Sequence, residues 1–450
     1  MSKPRIERAP QFDYSKKRHF EEIQKYLHDY GVLDKKGRYL HWSEFKWRVK
    51  LNDTETQKAW KAVKFHRLMA ATELPLRDEK KQPFMFCKPA NIEARLHHLS
   101  TTVGGSVATV AGTIASDRIQ QKYLVSSLLM EEAITSAQME GASTTREIAK
   151  KMLEDGRTPV DEDERMILNN YCLLKHAQAN IDKPLSINMI LDFHRIAISG
   201  TGENNVVPGD FRTGDDIYIG DGQGHIAHQP PKHKLIPQRM ALLCDFANGE
   251  YKQSPNAPFI HPVIVAITLH FMMGYEHPFR DGNGRTARAL FYWYMLKEGY
   301  DLFKYVSISK LLKEDSNGYG ASFLYTETDG NDLTYFIDYQ LQIIEKAFAE
   351  LGDYLSNKSR EFEEVIELLQ SSTLCEKLNF VQKDILKKGS KEPGRIFTAR
   401  TVSVDYDVSE NTARSHLNRL VSLKLLMQSK EGRTTLYIAP SDLRNRLKSS

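Results

Sequence analysis

Two apolar runs, 263–273 and 289–296, flank the stretch His277-Pro-Phe-Arg-Asp-Gly-Asn-Gly-Arg-Thr-Ala-Arg288. Such runs are typical of buried helices, so the two glycines between them are predicted to lie in a loop that opens a helix. Glycine permits backbone conformations in which successive N–H groups converge, and the following helix adds the positive end of its dipole. The stretch therefore predicts an anion-binding loop.

Charged side chains in this stretch supply further parts of a phosphate-transfer site. Arg285 and Arg288 are three residues apart and share one helical face, where their guanidinium groups can bind phosphate oxygens. Asp281 provides the oxygen ligand that Mg²⁺ prefers, and His277 provides a base that titrates near neutral pH. A plain glycine turn between core helices is the alternative, but it does not require these residues together. The combination indicates phosphoryl or nucleotidyl transfer.

The same stretch resembles the signature HPFxDGNGRxxR of the Fic (Fic/Doc) family and matches every specified position. The resemblance extends over about 117–351. It implies a protein adenylyltransferase that transfers AMP from ATP to a hydroxyl side chain of a target protein. His277 would be the catalytic base that deprotonates this hydroxyl, which then attacks the α-phosphate and expels pyrophosphate.

The resemblance also assigns roles to the other residues of the loop. Asp281 would hold Mg²⁺ against the α- and β-phosphates. Asn283 and the backbone N–H groups of 282–284 would stabilise the charge on the α-phosphate. An aromatic side chain downstream would contact the adenine, although core packing is an alternative for that residue. The predicted ATP-binding residues are Gly282, Asn283, Gly284, Arg285 for the β-phosphate, Arg288 for the γ-phosphate, and Tyr319.

A second motif predicts regulation. Ser136-Ala-Gln-Met-Glu140-Gly141 ends a predicted helix over about 120–141 and matches the (S/T)xxxE(G/N) inhibitory motif of Fic proteins. In the family this glutamate pairs with the second arginine of the signature, here Arg288, and keeps the γ-phosphate from its productive position. The resemblance thus implies autoinhibition through Ser136 and Glu140. An ordinary helix carboxylate is the alternative.

The segment 207–231 interrupts the helical pattern with the β-prone run Ile217-Tyr218-Ile219 between two turn signals, which predicts a hairpin. It resembles the flap of Fic enzymes, which pairs with an extended segment of the target protein. Phe211 and Arg212, just before the run, are predicted structural supports. A surface hairpin without function is the alternative.

The last part of the chain is predicted to be a small winged helix-turn-helix domain. Helices are expected over 380–388, 398–406 and 410–423, followed by strands over 425–429 and 434–438. Such an order of elements is typical of that fold.

Fourteen Lys and Arg residues stand against seven Asp and Glu from 379 to 450, an excess that could meet DNA phosphates. Arg414, Asn418 and Arg419 on the third helix are the predicted DNA contacts. Ser409 is predicted to cap this helix, and Gly432 to form the turn of the wing. Winged helices also bind proteins, which is the alternative.

The predicted fold class is mainly α: a Fic-type helical bundle over 116–358 and the winged-helix domain over 359–450. The N-terminal region, 1–115, is predicted to be mainly helical. Within it, apolar spacing over 20–30 indicates a helix, whereas alternation of apolar residues over 45–51 indicates a short strand.

Composition limits the other classes of function. A formal charge of +4 over 450 residues is too small to indicate a general polyanion binder, and we expect neither an export signal nor a membrane span. Four widely spaced cysteines argue against zinc and disulfides and suggest buried thiols in a reducing cytoplasm. The expected partners are ATP and a protein substrate, which could be the chain itself, with DNA and a homodimer left open.

Two other functions remain open at this level. One is removal of AMP, or transfer of another phosphate-containing group, by an enzyme of the same family. The other is a DNA-binding regulator whose Fic part senses ATP.

Overall fold

A computed structural model defines the architecture. It describes residues 6–14, 17–102, 118–201, 206–220, 226–253, 257–370, 377–392, 394–431 and 434–448. The chain divides into two units, which are described separately below. The first unit contains residues 1–104, 172–303 and 308–346, and the second contains 105–171, 304–307 and 347–450.

Helices dominate both units, which confirms the predicted fold class. In chain order the helices are α1 (Lys17–Ile23), α2 (Trp42–Arg48), α3 (Asp53–Met69), α4 (Ala90–Thr102), α5 (Arg118–Met139), α6 (Arg146–Asp155), α7 (Glu162–Ala179), α8 (Ile187–Ala197), α9 (Ile236–Ala247), α10 (Pro262–Glu276), α11 (Asn283–Lys297), α12 (Ile308–Glu314), α13 (Ser316–Thr328), α14 (Thr334–Gln370), α15 (Phe380–Lys391), α16 (Ala399–Tyr406), α17 (Glu410–Ser422) and α18 (Leu443–Lys448). The strands are β1 (Ala71–Arg77), β2 (Pro83–Cys87), β3 (Ile219–Gly220), β4 (Ile226–His228), β5 (Ile396–Phe397), β6 (Met427–Glu431) and β7 (Thr434–Ile438).

Helices α10 and α11 pack along each other in the centre of the first unit. Both are apolar on nearly every side, as expected for helices that are surrounded by protein. Phe271, Leu290 and Trp293 are completely buried, and each such side chain contributes about 1.5–3 kcal/mol of hydrophobic stabilisation. The segment that joins the two helices is therefore anchored at both ends.

The predicted strand over 45–51 is wrong, because α2 continues through Arg48. His41 caps this helix by accepting a hydrogen bond from the backbone N–H of Ser43. Phe45 packs against Trp60 in a buried aromatic cluster, whereas Trp47 is 73% exposed. Alternation over so few residues does not separate a strand from a helix with one buried face.

A hairpin that was not predicted lies in the N-terminal region. Strands β1 and β2 pair antiparallel, with Ala71 opposite Cys87 and Arg77 opposite Pro83. The strands on either side of the turn at 78–82 were not predicted from the sequence. The predicted helix over 20–30 is shorter than expected, since α1 ends at Ile23 and a 3₁₀ turn follows.

The predicted hairpin after Arg212 is confirmed, with a shift in its strand. Ile219 pairs with His228, and Gly220 with Ile226. Ile217 and Tyr218 precede the strand instead of forming it. The turn at 221–225 lies outside the described residues.

The C-terminal part of the second unit follows the predicted order of elements, with helices α15, α16 and α17 before a small sheet. Ser409 caps α17 as predicted, because its side chain accepts a hydrogen bond from the N–H of Thr412 at 3.1 Å. Strand β5, too short to predict, gives the sheet order β5-β7-β6. Leu417, Leu420 and Tyr437 are buried in its core. Gly432 lies outside the described residues, and assignment to the winged-helix class stays a prediction.

The two units do not follow the predicted domain boundaries, since 105–171 belongs with the C-terminal residues. Those boundaries stay a prediction. Cys87 and Cys244 are buried as expected, but Cys172 is exposed, and Cys375 is outside the described residues. Among the helices that the structure describes, none is both long and apolar enough to cross a membrane.

Candidate active site

His277 lies where α10 ends, and its backbone adopts the left-handed conformation, with φ 44° and ψ 58°. This conformation costs free energy for a residue with a Cβ atom, so its surroundings must hold it. Arg212 contributes to this support. Its Nε donates to the carbonyl oxygen of His277, and its backbone N–H donates to that of Pro278, both at 2.9 Å.

Asn283 closes the loop with its own side chain. Its Oδ1 accepts from the N–H of Phe279 at 2.9 Å, and its Nδ2 donates to the carbonyl oxygen of Phe279 at 2.8 Å. The side chain is buried, so it fixes the shape of the loop. The contact with the α-phosphate that the resemblance implies for Asn283 stays a prediction.

Gly282 precedes the first turn of α11 with a φ of 78°. A Cβ atom there would lie 2.7 Å from Cγ2 of Ile198, so no larger residue fits without movement. No described side chain caps this end of α11. The first N–H groups of the helix, including that of Gly284, have no partners within the helix, and this is the arrangement that binds anions elsewhere.

Asp281 and Arg285 form an ion pair beside the loop. Arg285 is buried, and its guanidinium group donates to the carbonyl oxygen of Ala197 at 2.8 Å and to Oδ2 of Asp281 at 2.7 Å. The Asp281 side chain is 41% exposed. A contact between Arg285 and a β-phosphate would therefore compete with these two acceptors.

Asp281 is oriented and open enough to accept a cation. Mg²⁺ commonly binds one or two carboxylates together with phosphates and water. In the part of the chain that the structure describes, no group of three or more His, Cys, Asp or Glu side chains could hold a metal ion. A Mg²⁺ ion at this loop would thus rest on Asp281 and on the nucleotide.

His194 on α8 supports the loop, although no motif in the sequence marked it. Its Nδ1 accepts from the N–H of Gly209 at 3.1 Å, and its Nε2 donates to the carbonyl oxygen of Asp281 at 3.1 Å. Its ring stacks on Phe279 with centroids 3.7 Å apart. Burial lowers the pKa of His194 to about 4. A neutral ring satisfies one donor and one acceptor, so the loop is held without a charge.

Arg288 and Tyr319 both interact with the buried His270. Burial lowers the pKa of His270 to about 3, and the charge of Arg288, itself buried on α11, adds to this effect. The hydroxyl group of Tyr319 lies 2.8 Å from Nε2 of His270. The Tyr319 ring packs edge-on against Phe323, 5.3 Å away. This environment favours the packing alternative for Tyr319, and its adenine contact stays a prediction.

Arg212 also joins both ends of the hairpin. Its Nη1 donates to the carbonyl oxygen of Gly214 at 2.7 Å, and its Nη2 donates to that of Pro231. Its side chain is buried. Arg212 thus has the structural role that was predicted, and it connects the hairpin to the backbone of His277. Tyr218 on the hairpin is 59% exposed and available to a partner.

Ser136 and Glu140 belong to the second unit. Ser136 is buried on α5, and Glu140 follows the helix with its N–H donating to the carbonyl oxygen of Ala137 at 3.0 Å. Gly141 then reverses the chain with a φ of 108°. The backbone around Glu140 is thus well defined, and the predicted pairing of Glu140 with Arg288 stays a prediction.

The predicted DNA contacts Arg414, Asn418 and Arg419 are exposed on α17. Two of them bind within the domain. Oδ1 of Asn418 accepts from the hydroxyl group of Tyr437 at 2.7 Å, and Arg419 donates to the carbonyl oxygen of Lys377 at 2.9 Å. Arg414 is accordingly the residue whose role in DNA binding is easiest to test.

Known proteins match the part of the chain that contains this loop. The model of the Fic/DOC family matches residues 184–295. The chain is 31% identical to the protein adenylyltransferase Fic of Drosophila willistoni over 161 residues, which cover 35% of this chain and 29% of that protein. It is 28% identical to the Drosophila persimilis protein of the same name over 210 residues, 46% of this chain and 38% of the relative.

Among solved structures, a Fic family protein from Desulfovibrio desulfuricans aligns with a TM-score of 0.49 and 15% identity, covering 78% of this chain and 95% of that one. The matches to the two Drosophila proteins span 29% and 38% of those relatives' own lengths.

Proposed function

We propose that the chain, which matches the model of the Fic/DOC family over residues 184–295, is a protein adenylyltransferase. It would transfer AMP from ATP to a hydroxyl side chain of a target protein. The preformed loop between α10 and α11 carries this proposal, because His277, an oriented Asp281 and the uncapped end of α11 come together there. A base, a metal ligand and an anion site are the parts that nucleotidyl transfer requires.

In the proposed reaction, His277 accepts the proton of the target hydroxyl as its oxygen attacks the α-phosphate of ATP. The bond between the α- and β-phosphates breaks, and pyrophosphate leaves. The N–H groups of 282–284 stabilise the α-phosphate, while Arg285 and Arg288 bind the outer phosphates. Asp281 would hold Mg²⁺, which neutralises phosphate charge when it is bound.

Labelled ATP tests this proposal. Label on the α-phosphate should appear on protein, label on the γ-phosphate should not, and His277→Ala should abolish transfer while ATP binding persists. His28→Ala, at a histidine whose side chain is 98% exposed, is the matched control and should transfer normally. Undiminished labelling by His277→Ala would refute the mechanism. Loss of α-label from modified protein, without its attachment, would favour the AMP-removing alternative.

Autoinhibition by Glu140 is part of the proposal, supported by its motif and by the defined helix end at Gly141. If Glu140 pairs with Arg288, then Glu140→Gly should raise self-labelling about tenfold or more, since removing one partner of a buried pair changes the free energy by several kcal/mol. Arg288→Ala added to Glu140→Gly should erase the gain. Equal or lower labelling by a folded Glu140→Gly variant would exclude this brake.

We also propose that the hairpin docks the target and that the C-terminal domain is a winged helix which binds DNA, the latter supported by the exposed basic residues of α17. Binding of the full chain to a labelled duplex should weaken with salt and with Arg414→Ala. Binding that is absent, or insensitive to salt, would favour a protein-interaction role. A cytoplasmic location and a homodimer stay predictions from the sequence.

A further inference from the structure

His228, the last residue of β4, has an unusual pair of neighbours. Its side chain is only 6% exposed. Its Nδ1 lies 2.7 Å from Oε2 of Glu327 on α13, and its Nε2 lies 2.7 Å from the carbonyl oxygen of Tyr275 on α10. Both neighbours are hydrogen-bond acceptors, so each ring nitrogen faces an acceptor at short range.

A neutral imidazole cannot satisfy this arrangement, because it carries one N–H group and one lone pair. Only the protonated ring donates to both oxygens, unless Glu327 itself carries the proton. In either case the pair needs one proton that a neutral histidine beside an ionised glutamate lacks. Burial lowers the pKa of His228, but Glu327, the Tyr275 carbonyl oxygen and Glu276 together outweigh burial and raise it, with Glu327 contributing most among them.

Other charged groups also lie around His228, and Glu276 among them has its own partner. Glu276 on α10 is buried, and both of its oxygens accept from Arg239 on α9 at 2.6 Å. The Tyr275 ring packs 5.0 Å from the His228 ring. The turn between β1 and β2 carries two further acids. The charge of Asp78 raises the pKa of Tyr275, and the charge of Glu79 raises the pKa of Arg239. Glu276 also raises the pKa of His228, but Glu327 contributes more and is the acid that is hydrogen-bonded to the ring.

The hydrogen bond between His228 and the Tyr275 carbonyl oxygen connects the hairpin to the end of α10. Tyr275 lies two residues before His277 on α10, and His228 pairs in the hairpin with Ile219. We propose that His228 is a positioning residue whose protonated ring clamps the hairpin to the end of α10, and that the clamp opens as pH rises. The consequence for docking rests on the proposed function, whereas the clamp itself does not.

The direction of the pH effect follows from linkage. A histidine with a raised pKa in the folded protein contributes its full stabilisation below the ordinary value of about 6.5 and loses it as pH rises through the raised value. Loss of a charge-assisted hydrogen bond should lower the amide protection of the hairpin about tenfold. The hairpin should therefore be closed in mildly acidic solution and open in mildly alkaline solution.

Two substitutions separate protonation from packing. In Glu327→Gln the amide N–H can donate to Nδ1 while Nε2 donates to the Tyr275 carbonyl oxygen, so a neutral ring completes the clamp. This variant should keep the hairpin protected at every pH and should lower the pKa of His228. His228→Ala should leave the hairpin poorly protected at every pH.

The experiment measures hydrogen exchange of peptides containing β3 and β4 in the full chain without ATP, at pH 6 and 8.5, corrected for intrinsic exchange rates. A ¹⁵N-histidine NMR titration gives the pKa of His228 directly. We expect wild-type protection to fall about tenfold across this interval, and Glu327→Gln to abolish the fall. Equal wild-type protection at both pH values, or unchanged pH dependence in Glu327→Gln, would overturn the clamp.

Activity gives a second readout. With α-labelled ATP and the His277→Ala chain as acceptor, the wild-type KM for the acceptor should rise about tenfold from pH 6.5 to 8.5, with kcat changing little. In Glu327→Gln this KM should stay constant. If no label is transferred at all, the proposed function fails, while the exchange and NMR results still decide the clamp.

Discussion

The loop at 277–288 contains His277, and the hairpin at 212–231 contacts the backbone of that residue. The loop and the hairpin are nevertheless held in place in different ways. Buried groups support the loop on several sides, including the neutral ring of His194 and the amide of Asn283. Among its described residues the hairpin has two strand pairings, and its base is held by Arg212 and His228. The loop is thus preorganised for the proposed AMP transfer, whereas the hairpin, which is proposed to dock the target, is adjustable.

The largest effect is expected from a substitution in the rigid loop. Gly282→Ala puts a Cβ atom 2.7 Å from Ile198 and should displace the loop. A misplacement of about 1 Å can cost a hundredfold in rate, so we expect transfer of AMP to fall about a hundredfold or more. The measurement is single-turnover labelling with α-labelled ATP.

Gly299→Ala is the matched control for this change. Gly299 has a similar φ of 83°, but a Cβ atom there meets nothing within 4 Å. It should cost only about 1 kcal/mol of stability through its backbone. Equal rates for the two variants would show that the shape of the loop does not limit transfer.

The second prediction uses pH to test how the loop is held. Since the pKa of His194 falls to about 4 in the folded protein, its contribution is complete above about 6.5 and is lost as pH falls toward 4. The free energy of opening the loop should drop on the order of 2–3 kcal/mol over this interval. Hydrogen exchange of the loop should show the drop in wild type but not in His194→Gln. A similar drop in both proteins would assign it to other groups.

Local signals account for the parts that the sequence predicted well. The glycine loop, the cap at Ser409 and the hairpin after Arg212 each depend on residues a few positions apart. The strand predicted over 45–51 failed for a different reason, since its alternation was also compatible with α2.

Long-range contacts could not be predicted in the same way. His194 and Asp281 are 87 residues apart, and Arg212 and His277 are 65 apart. Nothing in the sequence near His194 distinguishes it from a histidine in an ordinary helix. The packing of α8 against α11 brings it under the loop, so only the structure reveals the support of the site.

A smaller effect is expected at the base of the hairpin. In Arg212→Lys a single ammonium group replaces the guanidinium fork and cannot reach the carbonyl oxygens of His277, Gly214 and Pro231 together. The KM for the acceptor protein should rise about tenfold, more than kcat falls. Arg195→Lys, in an exposed pair with Asp192, should change KM less than about twofold. A fall in kcat alone would mean that Arg212 serves the loop and not the hairpin.

The smallest effect concerns Tyr319, where the contacts of the ring decide between two roles. Its hydroxyl group lies 2.8 Å from His270, and its ring belongs to the same aromatic group as Tyr339, 6.4 Å away. Stacking on a base is worth about 1–3 kcal/mol and needs only the ring. If Tyr319 contacts the adenine, Tyr319→Phe should leave the KM for ATP within about twofold, whereas Tyr319→Ala should raise it about fivefold, which corresponds to about 1 kcal/mol. Tyr339→Ala is the control, because it removes a ring from the group and should lower thermal stability without changing the KM for ATP. If Tyr319→Ala behaves like Tyr339→Ala, losing stability and keeping its KM for ATP, then Tyr319 is a core residue and another side chain binds the base.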